Sequence, residues 1–227
     1  MSIRRSQLLF IDGLPGSGKS TAAAAVGGRL PHSRVFMESA PDHPLLAVTP
    51  DRMGAAFADI HVTHSWESFA AAAIGKLEAF LATATDDGVY VFESHPIQST
   101  LRVLFQLDAP QAATLQFWSD LQDRLAVVQP RLVYFEESDP LHAVKGIARQ
   151  RGPAWESYLV EALRQSPWMQ ARGLSAADGV EQWIVEYADL VDRSARSWRF
   201  PMLTLPARPE NYEQRTEALI NWAMGFK

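Results

Sequence analysis

Five short apolar runs divide the chain: Leu8-Leu9-Phe10-Ile11, Arg34-Val35-Phe36-Met37, Val89-Tyr90-Val91-Phe92, Leu132-Val133-Tyr134-Phe135 and Met202-Leu203-Thr204-Leu205. They are mostly continuous rather than alternating, which predicts strands covered on both faces, as in a parallel sheet. Helical patterns separate them. Thr21 to Val26 opens a helix that ends near Gly27-Gly28. Ser65 predicts an N-cap for a long helix, with Glu67 in its first turn and Phe69, Ala73, Leu77 and Phe80 or Leu81 on one face. A helix is expected from Pro96 to Phe105. The next opens at Asp108-Ala-Pro-Gln111, read as a capping box, with a stripe of Leu115, Trp118, Leu121 and Leu125 stopped by Pro130. Asp139-Pro140 predicts a capped helix running to Arg151-Gly152-Pro153, and another follows from about Ala154 to Gln165. Ser175 to Asp178 caps a helix with Val180, Trp183, Ile184, Tyr187, Val191 and Trp198 on one face. Glu210 to Met224 is the last. Pro41 to His64 has little periodicity and is expected to be loop with short helical pieces, and Asp86-Asp87-Gly88 a turn.

Strand–helix alternation of this kind predicts an α/β fold with a parallel sheet and right-handed crossovers. At 227 residues, without repeats, low-complexity tracts or a linker, the expectation is one domain over 1–227. An apolar share of 47% and a charged share of 21% are ordinary for a globular protein. The chain has no cysteine, which removes disulfides, thiolate metal sites and cysteine nucleophiles. Met1 to Gln7 leads straight into the first strand, so neither a signal peptide nor a membrane span is expected, and the cytoplasm is the expected compartment. A net charge of −5 argues against a broad grip on nucleic acid.

The chemistry concentrates after the first run. Gly13-Leu14-Pro15-Gly16-Ser17-Gly18-Lys19-Ser20-Thr21 satisfies G-x-x-x-x-G-K-[ST] between a strand and a helix. Successive backbone N–H groups turn inward around a phosphate at the helix N-terminus. Gly13, Gly16 and Gly18 allow the close approach, Ser17 and Thr21 add donors, Lys19 supplies charge for the β/γ-phosphates, and Ser20 is a ligand for Mg²⁺. The chain is therefore expected to bind a nucleoside triphosphate.

In open parallel sheets, ligands sit beyond the carboxyl ends of the strands. That rule selects Glu38 after the second run and Glu93 after the third. Glu38 is the candidate base for an attacking hydroxyl, against a solvated loop glutamate. Glu93 is the candidate metal residue, against a structural hydrogen-bonding role. Ser94 and His95 beside it are possible substrate contacts, His95 more ordinarily a polar loop residue. Glu136, Glu137 and Asp139 read as caps and solvated charges. Lys145, Arg149 and Arg151 form a cationic cluster. It reads either as a lid over about 139–156 that folds onto the triphosphate, or as cations favoured at a helix C-terminus. Trp118, Trp183 and Trp198 read as core; Trp66 and Trp155 sit where either could flank a substrate.

The assembled pattern resembles the small P-loop kinases related to nucleoside monophosphate kinases and deoxynucleoside kinases, with chloramphenicol phosphotransferase and zeta-toxin-like kinases sharing the plan. Glu38 stands where deoxynucleoside kinases end strand two with a glutamate base. Glu93-Ser94 resembles their acidic-Arg-Ser motif without the arginine, and Arg149-Gln-Arg151-Gly their arginine-rich lid with one arginine fewer. The resemblance implies a P-loop NTPase three-layer sandwich with a five-stranded parallel sheet in the order 2-3-1-4-5. It also implies adenine near the 206–209 loop that carries Arg208, and acceptor-site helices within about 41–127.

These expectations combine into an ATP- and Mg²⁺-dependent small-molecule kinase, with catalytic Lys19, Glu38, Arg149 and Arg151, nucleotide contacts from Gly13 to Thr21 and Arg208, and metal contacts from Ser20 and Glu93. The acceptor is expected to be a hydroxyl of a nucleoside, sugar-containing metabolite or antibiotic. The same loop also serves ATPases that switch with a protein partner and kinases of polynucleotide ends.

Overall fold

The computed structural model describes residues 6–30, 32–48, 65–84, 88–174 and 176–225. Five strands form one sheet: β1 (Gln7–Gly13), β2 (Ser33–Phe36), β3 (Val89–Glu93), β4 (Gln129–Glu136) and β5 (Met202–Pro206). All neighbours are parallel and the order is β2-β3-β1-β4-β5. β1 lies at the centre, so the loop after it opens where the connections diverge to opposite sides, the place where such sheets bind ligands.

Strand alternation divides the core into two layers. Leu8, Phe10, Tyr90, Phe92, Leu132 and Tyr134 point to one face, beneath α2 (Trp66–Thr83), α3 (Arg102–Gln106), α4 (Gln111–Leu125) and α8 (Ala176–Arg196). Leu9, Ile11, Val91, Val133 and Phe135 point to the other, beneath α1 (Lys19–Gly27) and α9 (Tyr212–Met224). Helix, sheet and helix make a three-layer sandwich. Three further helices, α5 (Pro140–Arg151), α6 (Pro153–Arg164) and α7 (Pro167–Arg172), connect β4 to α8.

Phe92 is the hub of the larger layer. It stacks on Phe10 (5.5 Å between centroids) and Phe36 (5.3 Å), and meets Phe80 edge-on at 5.3 Å. The register that puts Phe10 opposite Phe92, and Phe36 opposite the same residue, carries these rings from strand to strand.

The caps at Ser65 and Asp139 form as the sequence predicts. Ser65 accepts from Ser68 N (3.2 Å), and Asp139 from His142 N (2.9 Å) with Pro140 in the first turn. Four expectations are corrected. Asp108 does not cap α4: it has φ 54° and pairs with Arg172 at 2.7 Å, while Pro110 occupies the cap position. Leu115 is 45% exposed, and the buried face of α4 runs through Phe117 and Trp118 instead. The expected helix from Pro96 begins with a π-helical turn over Ile97–Leu101 before α3. Trp198 is buried but lies beyond the end of α8. α7 was not expected, although Ser166 caps it before Pro167 in the usual manner. Of the Pro41–His64 stretch, 41–48 forms turns, and 49–64 lies outside the described residues, as do Asp86, Asp87 and Ser175.

Replacing the hub tests this packing. Phe92→Ala should cost about 3–5 kcal/mol of unfolding free energy, as buried aromatic truncations do. Urea unfolding reads it, and a loss under about 1 kcal/mol would contradict the packing described.

Candidate active site

The phosphate loop connects β1 to α1 in the described conformation. Gly16 and Gly18 have φ of 80° and 89°, in the left-handed region that a side chain disfavours. Space forbids side chains there as well. A Cβ on Gly16 would come within 2.4 Å of Ile147 on α5, and one on Gly18 within 2.8 Å of the Arg215 guanidinium on α9. No side chain caps α1, so its first-turn N–H groups face the loop. Lys19 is buried and its Nζ donates to the loop's own Leu14 O at 2.8 Å. Burial lowers its pKa, while Asp12, Glu93 and Glu38 oppose that shift.

Arg215 holds this loop from behind. Its Nη1 donates to Ser17 O (3.1 Å), Pro206 O (3.2 Å) and Ala207 O (2.8 Å), and the guanidinium stacks on Phe135 and Tyr212 at 4.3 and 5.0 Å. One side chain thus ties the phosphate loop to the loop after β5.

Three carboxylates converge at the strand ends. Asp12, the residue before Gly13, is wholly buried. It accepts from Gly13 N (2.8 Å), Ile97 N (2.6 Å) and Gln98 N (3.2 Å). Burial pushes it up to about 7 despite those amides and the Lys19 charge. Glu93 accepts from Ser20 Oγ (3.0 Å) and Ser94 Oγ (2.7 Å) on one oxygen, and from Glu38 N (2.8 Å) on the other. Ser94 turns the chain with φ 61°, in the left-handed region. Glu38 accepts from Gln98 Nε2 (2.7 Å) and faces Arg102 Nη2 at 3.7 Å. Burial raises the Glu38 pKa, and the Glu93 charge adds to that; Arg102 and Lys19 pull it back.

Glu38 and Glu93, but not Asp12, border a cavity of about 550 Å³. Its lining takes in Pro15, Gly16 and Gly18 to Thr21 of the phosphate loop and, from the other strand ends, Glu38, Glu93, Gln98 and Arg102. Val144, Ile147, Arg151, Trp155, Tyr158 and Leu159 of α5 and α6, with Trp183 of α8, close the remaining wall. The arrangement has the parts for phosphoryl transfer: an anion cradle, a lysine, a hydroxyl beside a carboxylate, and a second carboxylate with a raised pKa.

No family model matches the sequence, and no curated protein matches it. Among solved structures, thymidylate kinase from Candida albicans superposes with a TM-score of 0.50 at 15% identity, over 98% of this chain and 94% of its own. The two chains share a fold, a five-stranded parallel sheet in the order 2-3-1-4-5 between two helical layers. The YorR protein from Bacillus subtilis, solved in complex with phosphorylated GDP, is similar at 12% identity and a TM-score of 0.49, over 96% of this chain and 95% of its own. The tunicamycin resistance protein of Deinococcus radiodurans is similar at 18% identity and a TM-score of 0.42, over 98% of each chain. No helix among the described residues is long and apolar enough to cross a membrane.

Within this fold, the expected residues divide into three groups. Gly16, Gly18, Lys19, Ser20, Thr21, Glu38, Glu93 and Arg151 all line the cavity. Gly13 and Ser17 lie buried within the loop itself. Arg149 is exposed and outside the lining. Arg208 also lies outside it, bonded to Glu137 and, at 3.3 Å, to Asp139 O. Lys145 pairs with Glu181 at 2.8 Å on the surface. Arg151 sits over the ring of Trp155 at 5.7 Å, so of the two tryptophans left open, Trp155 lines the cavity. Trp183 is core and cavity wall at once. His95 is buried beneath the site, its Nδ1 2.6 Å from Ser99 Oγ. Sequence reasoning missed Asp12, Gln98, Arg102, Tyr158 and Arg215. Gln98 and Arg102 carried the one usable signal, a polar pair spaced four apart soon after Glu93.

A second buried histidine, His43, lies 6.0 Å from His95 between ring centroids. Its Nδ1 accepts from Leu45 N (3.2 Å), which leaves the proton on Nε2, and that atom has no hydrogen-bond partner among the described residues. Burial holds His43 down at about 4 and His95 well below its usual value. The unfolded chain, with histidines near 6.5, takes protons first, so His43 withdraws stability as pH falls from about 6.5 to about 4. Over that window the parent should lose up to about 1.4 kcal/mol per pH unit more than a His43→Leu variant. Urea midpoints at pH 7 and pH 5 measure the difference; parallel pH dependences would contradict it.

Proposed function

We propose that this chain is an ATP- and Mg²⁺-dependent kinase that transfers the γ-phosphate to a hydroxyl of a small molecule, such as a nucleoside, a sugar-containing metabolite or an antibiotic. The observation that carries this reading is that Lys19 of the phosphate loop and the Glu38 carboxylate border one cavity. An acid–base group with a raised pKa next to a phosphate cradle suits proton removal from an alcohol.

Magnesium suits the residues present. Among the described residues, no group of three or more His, Cys, Asp or Glu side chains could hold a metal by itself. Ser20 Oγ and a Glu93 oxygen lie 3.0 Å apart beside Lys19. That is the sparse, all-oxygen set that Mg²⁺ takes when phosphates and water complete its shell. Ser20 and Glu93 would hold it there, where the ion supplies charge neutralisation for the β- and γ-phosphate oxygens.

The chain's own groups then divide the work. Lys19 and the amides from Gly13 to Thr21 hold the phosphates. Glu38 takes the proton from the acceptor hydroxyl. Arg151, with Arg149 behind it, belongs to a lid formed by the helices over 139–156, and Arg208 contributes from the nucleotide side. Arg149 and Arg208 lie outside the cavity lining, so their parts require side-chain movement on binding. Single-domain organisation and a cytoplasmic location belong to the same reading.

Charge favours an alcohol over a phosphate as acceptor. Of the charged lining residues, Lys19 and Arg151 are given to the ATP phosphates in this reading, which leaves Glu38 and Glu93 with Arg102 facing Glu38 itself. An anionic acceptor meets two carboxylates there, whereas the walls from Met37, Trp155, Tyr158 and Leu159 suit a neutral body.

Two variants test the scheme once an acceptor is found in a panel of nucleosides, sugars and hydroxylated antibiotics. Glu38→Gln should lower kcat about 10²–10⁴-fold, the span of general-base contributions, while ATP affinity changes less than about twofold. Lys19→Met should impair ATP binding and turnover together. Full turnover in Glu38→Gln removes the base assignment, and full turnover in Lys19→Met removes the kinase scheme.

A further inference from the structure

We propose that Asp12 and Gln98 are positioning residues that set the Glu38 carboxylate in place from the phosphate loop, by way of the helical turn after β3. This inference rests on the reading of Glu38 as the base. It begins with an unusual placement. Asp12 is a wholly buried carboxylate at the last apolar stretch of the central strand, directly before the first glycine of the phosphate loop. Burying a carboxylate there is costly, and the amides of Gly13, Ile97 and Gln98 offset that cost. Gly13 begins the phosphate loop. Ile97 and Gln98 begin the π-helical turn that leads into α3. One carboxylate therefore fastens the start of the phosphate cradle to the start of the acceptor-side helix.

That helical turn carries the link onward. Gln98 and Arg102 are four residues apart, so their side chains project in the same direction. Gln98 Nε2 reaches Glu38 Oε2 at 2.7 Å, and Arg102 Nη2 stands 3.7 Å from Oε1. Arg102 Nε also donates to Gln98 O at 3.4 Å, which holds the pair in register. The main chain of Glu38 is fixed separately, its N–H on Glu93 at 2.8 Å. Glu38 follows β2 at the edge of the sheet and has no direct hydrogen bond to the phosphate loop among those described. Glu93 joins the Glu38 main chain to Ser20, and the path through Asp12, the Gln98 main chain and the Gln98 side chain makes the corresponding connection to the Glu38 carboxylate.

The charged and titratable groups around this path are Lys19, Tyr134 and Tyr187 near Asp12, and Arg102, Glu93, Lys19 and Tyr158 near Glu38. Ser94 also bonds to the Glu38 carboxyl through its side chain, but Gln98 Nε2 is the donor that links that carboxyl to the turn Asp12 holds. Asn at position 12 is close in shape but turns one acceptor oxygen into an NH₂, which would face backbone donors at Ile97 and Gln98. The carboxylate, with two acceptor oxygens, suits the three amides that converge on it.

The test is a double-mutant cycle read by steady-state kinetics with an acceptor that the parent phosphorylates. Gln98→Met keeps the length of the side chain and removes the donor. It should lower kcat about tenfold or more while KM for ATP changes less than twofold, because the phosphate contacts are untouched. In a Glu38→Gln background, the same change should alter kcat less than twofold, since Gln98 acts through Glu38. Asp12→Asn also loosens Gly13 of the phosphate loop, so it should lower kcat and raise KM for ATP, and its kcat loss should shrink in that background. If it fails to fold, the Gln98 cycle decides alone. If Glu38→Gln is impaired and Gln98→Met multiplies that loss in full, Gln98 acts independently and the inference is overturned while the base assignment stands. Full turnover in Glu38→Gln overturns both.

Discussion

A carboxylate buried at the end of an apolar strand has to be met by donors, and the donors within reach belong to the next loops. This constraint organises the active end of the protein. Asp12 gathers amides from the phosphate loop and from the turn after β3. Glu93 gathers the Ser20 hydroxyl from α1, the Ser94 hydroxyl, and the main chain of Glu38 after β2. Each acid costs stability by being buried and offsets that cost by fixing loops that would otherwise be free. The central strands thus dictate the geometry of the site from two residues.

The second constraint is steric. Gly16 and Gly18 carry no side chain, and Ile147 of α5 and Arg215 of α9 occupy the space a Cβ would need. The phosphate loop is therefore packed by α5 and α9 as well as strung between β1 and α1. Arg215 adds its three carbonyl contacts across the loops after β1 and β5. The parts that would hold the phosphates, the base and the acceptor wall rest on one another rather than on separate supports.

Much of this was legible in the sequence for physical reasons. Continuous apolar runs suit strands covered on both faces, which holds for β1 and β3 while the edge strands β2 and β5 stay partly exposed, and the glycine-lysine-serine spacing has one well-known use, so the sheet and its cradle follow directly. The strand-end rule then located Glu38 and Glu93, both of which border the cavity. What escaped notice depended on partners distant in sequence. Asp12 reads as one polar residue in a strand until Ile97 arrives 85 positions later. Arg215 reads as a surface cation of an amphipathic helix until the sheet brings it beneath Ser17, 198 positions away. Asp108 has the spacing of a capping box, yet its bond to Arg172 and its left-handed backbone use it elsewhere. Leu115 fits a helical stripe by period, but neighbours that period cannot see decide which arc of α4 is covered.

The central claim is that this cavity moves a phosphoryl group from ATP to an alcohol, and the most direct measurement is of the product itself. Mass spectrometry after incubation with ATP and Mg²⁺, with nucleosides, sugars and hydroxylated antibiotics supplied as acceptors, reads it. The account predicts an acceptor heavier by one phosphate, linked through oxygen of a former hydroxyl, with ADP formed in equal amount. ADP and free inorganic phosphate in equal amounts, with every acceptor unchanged, would contradict it.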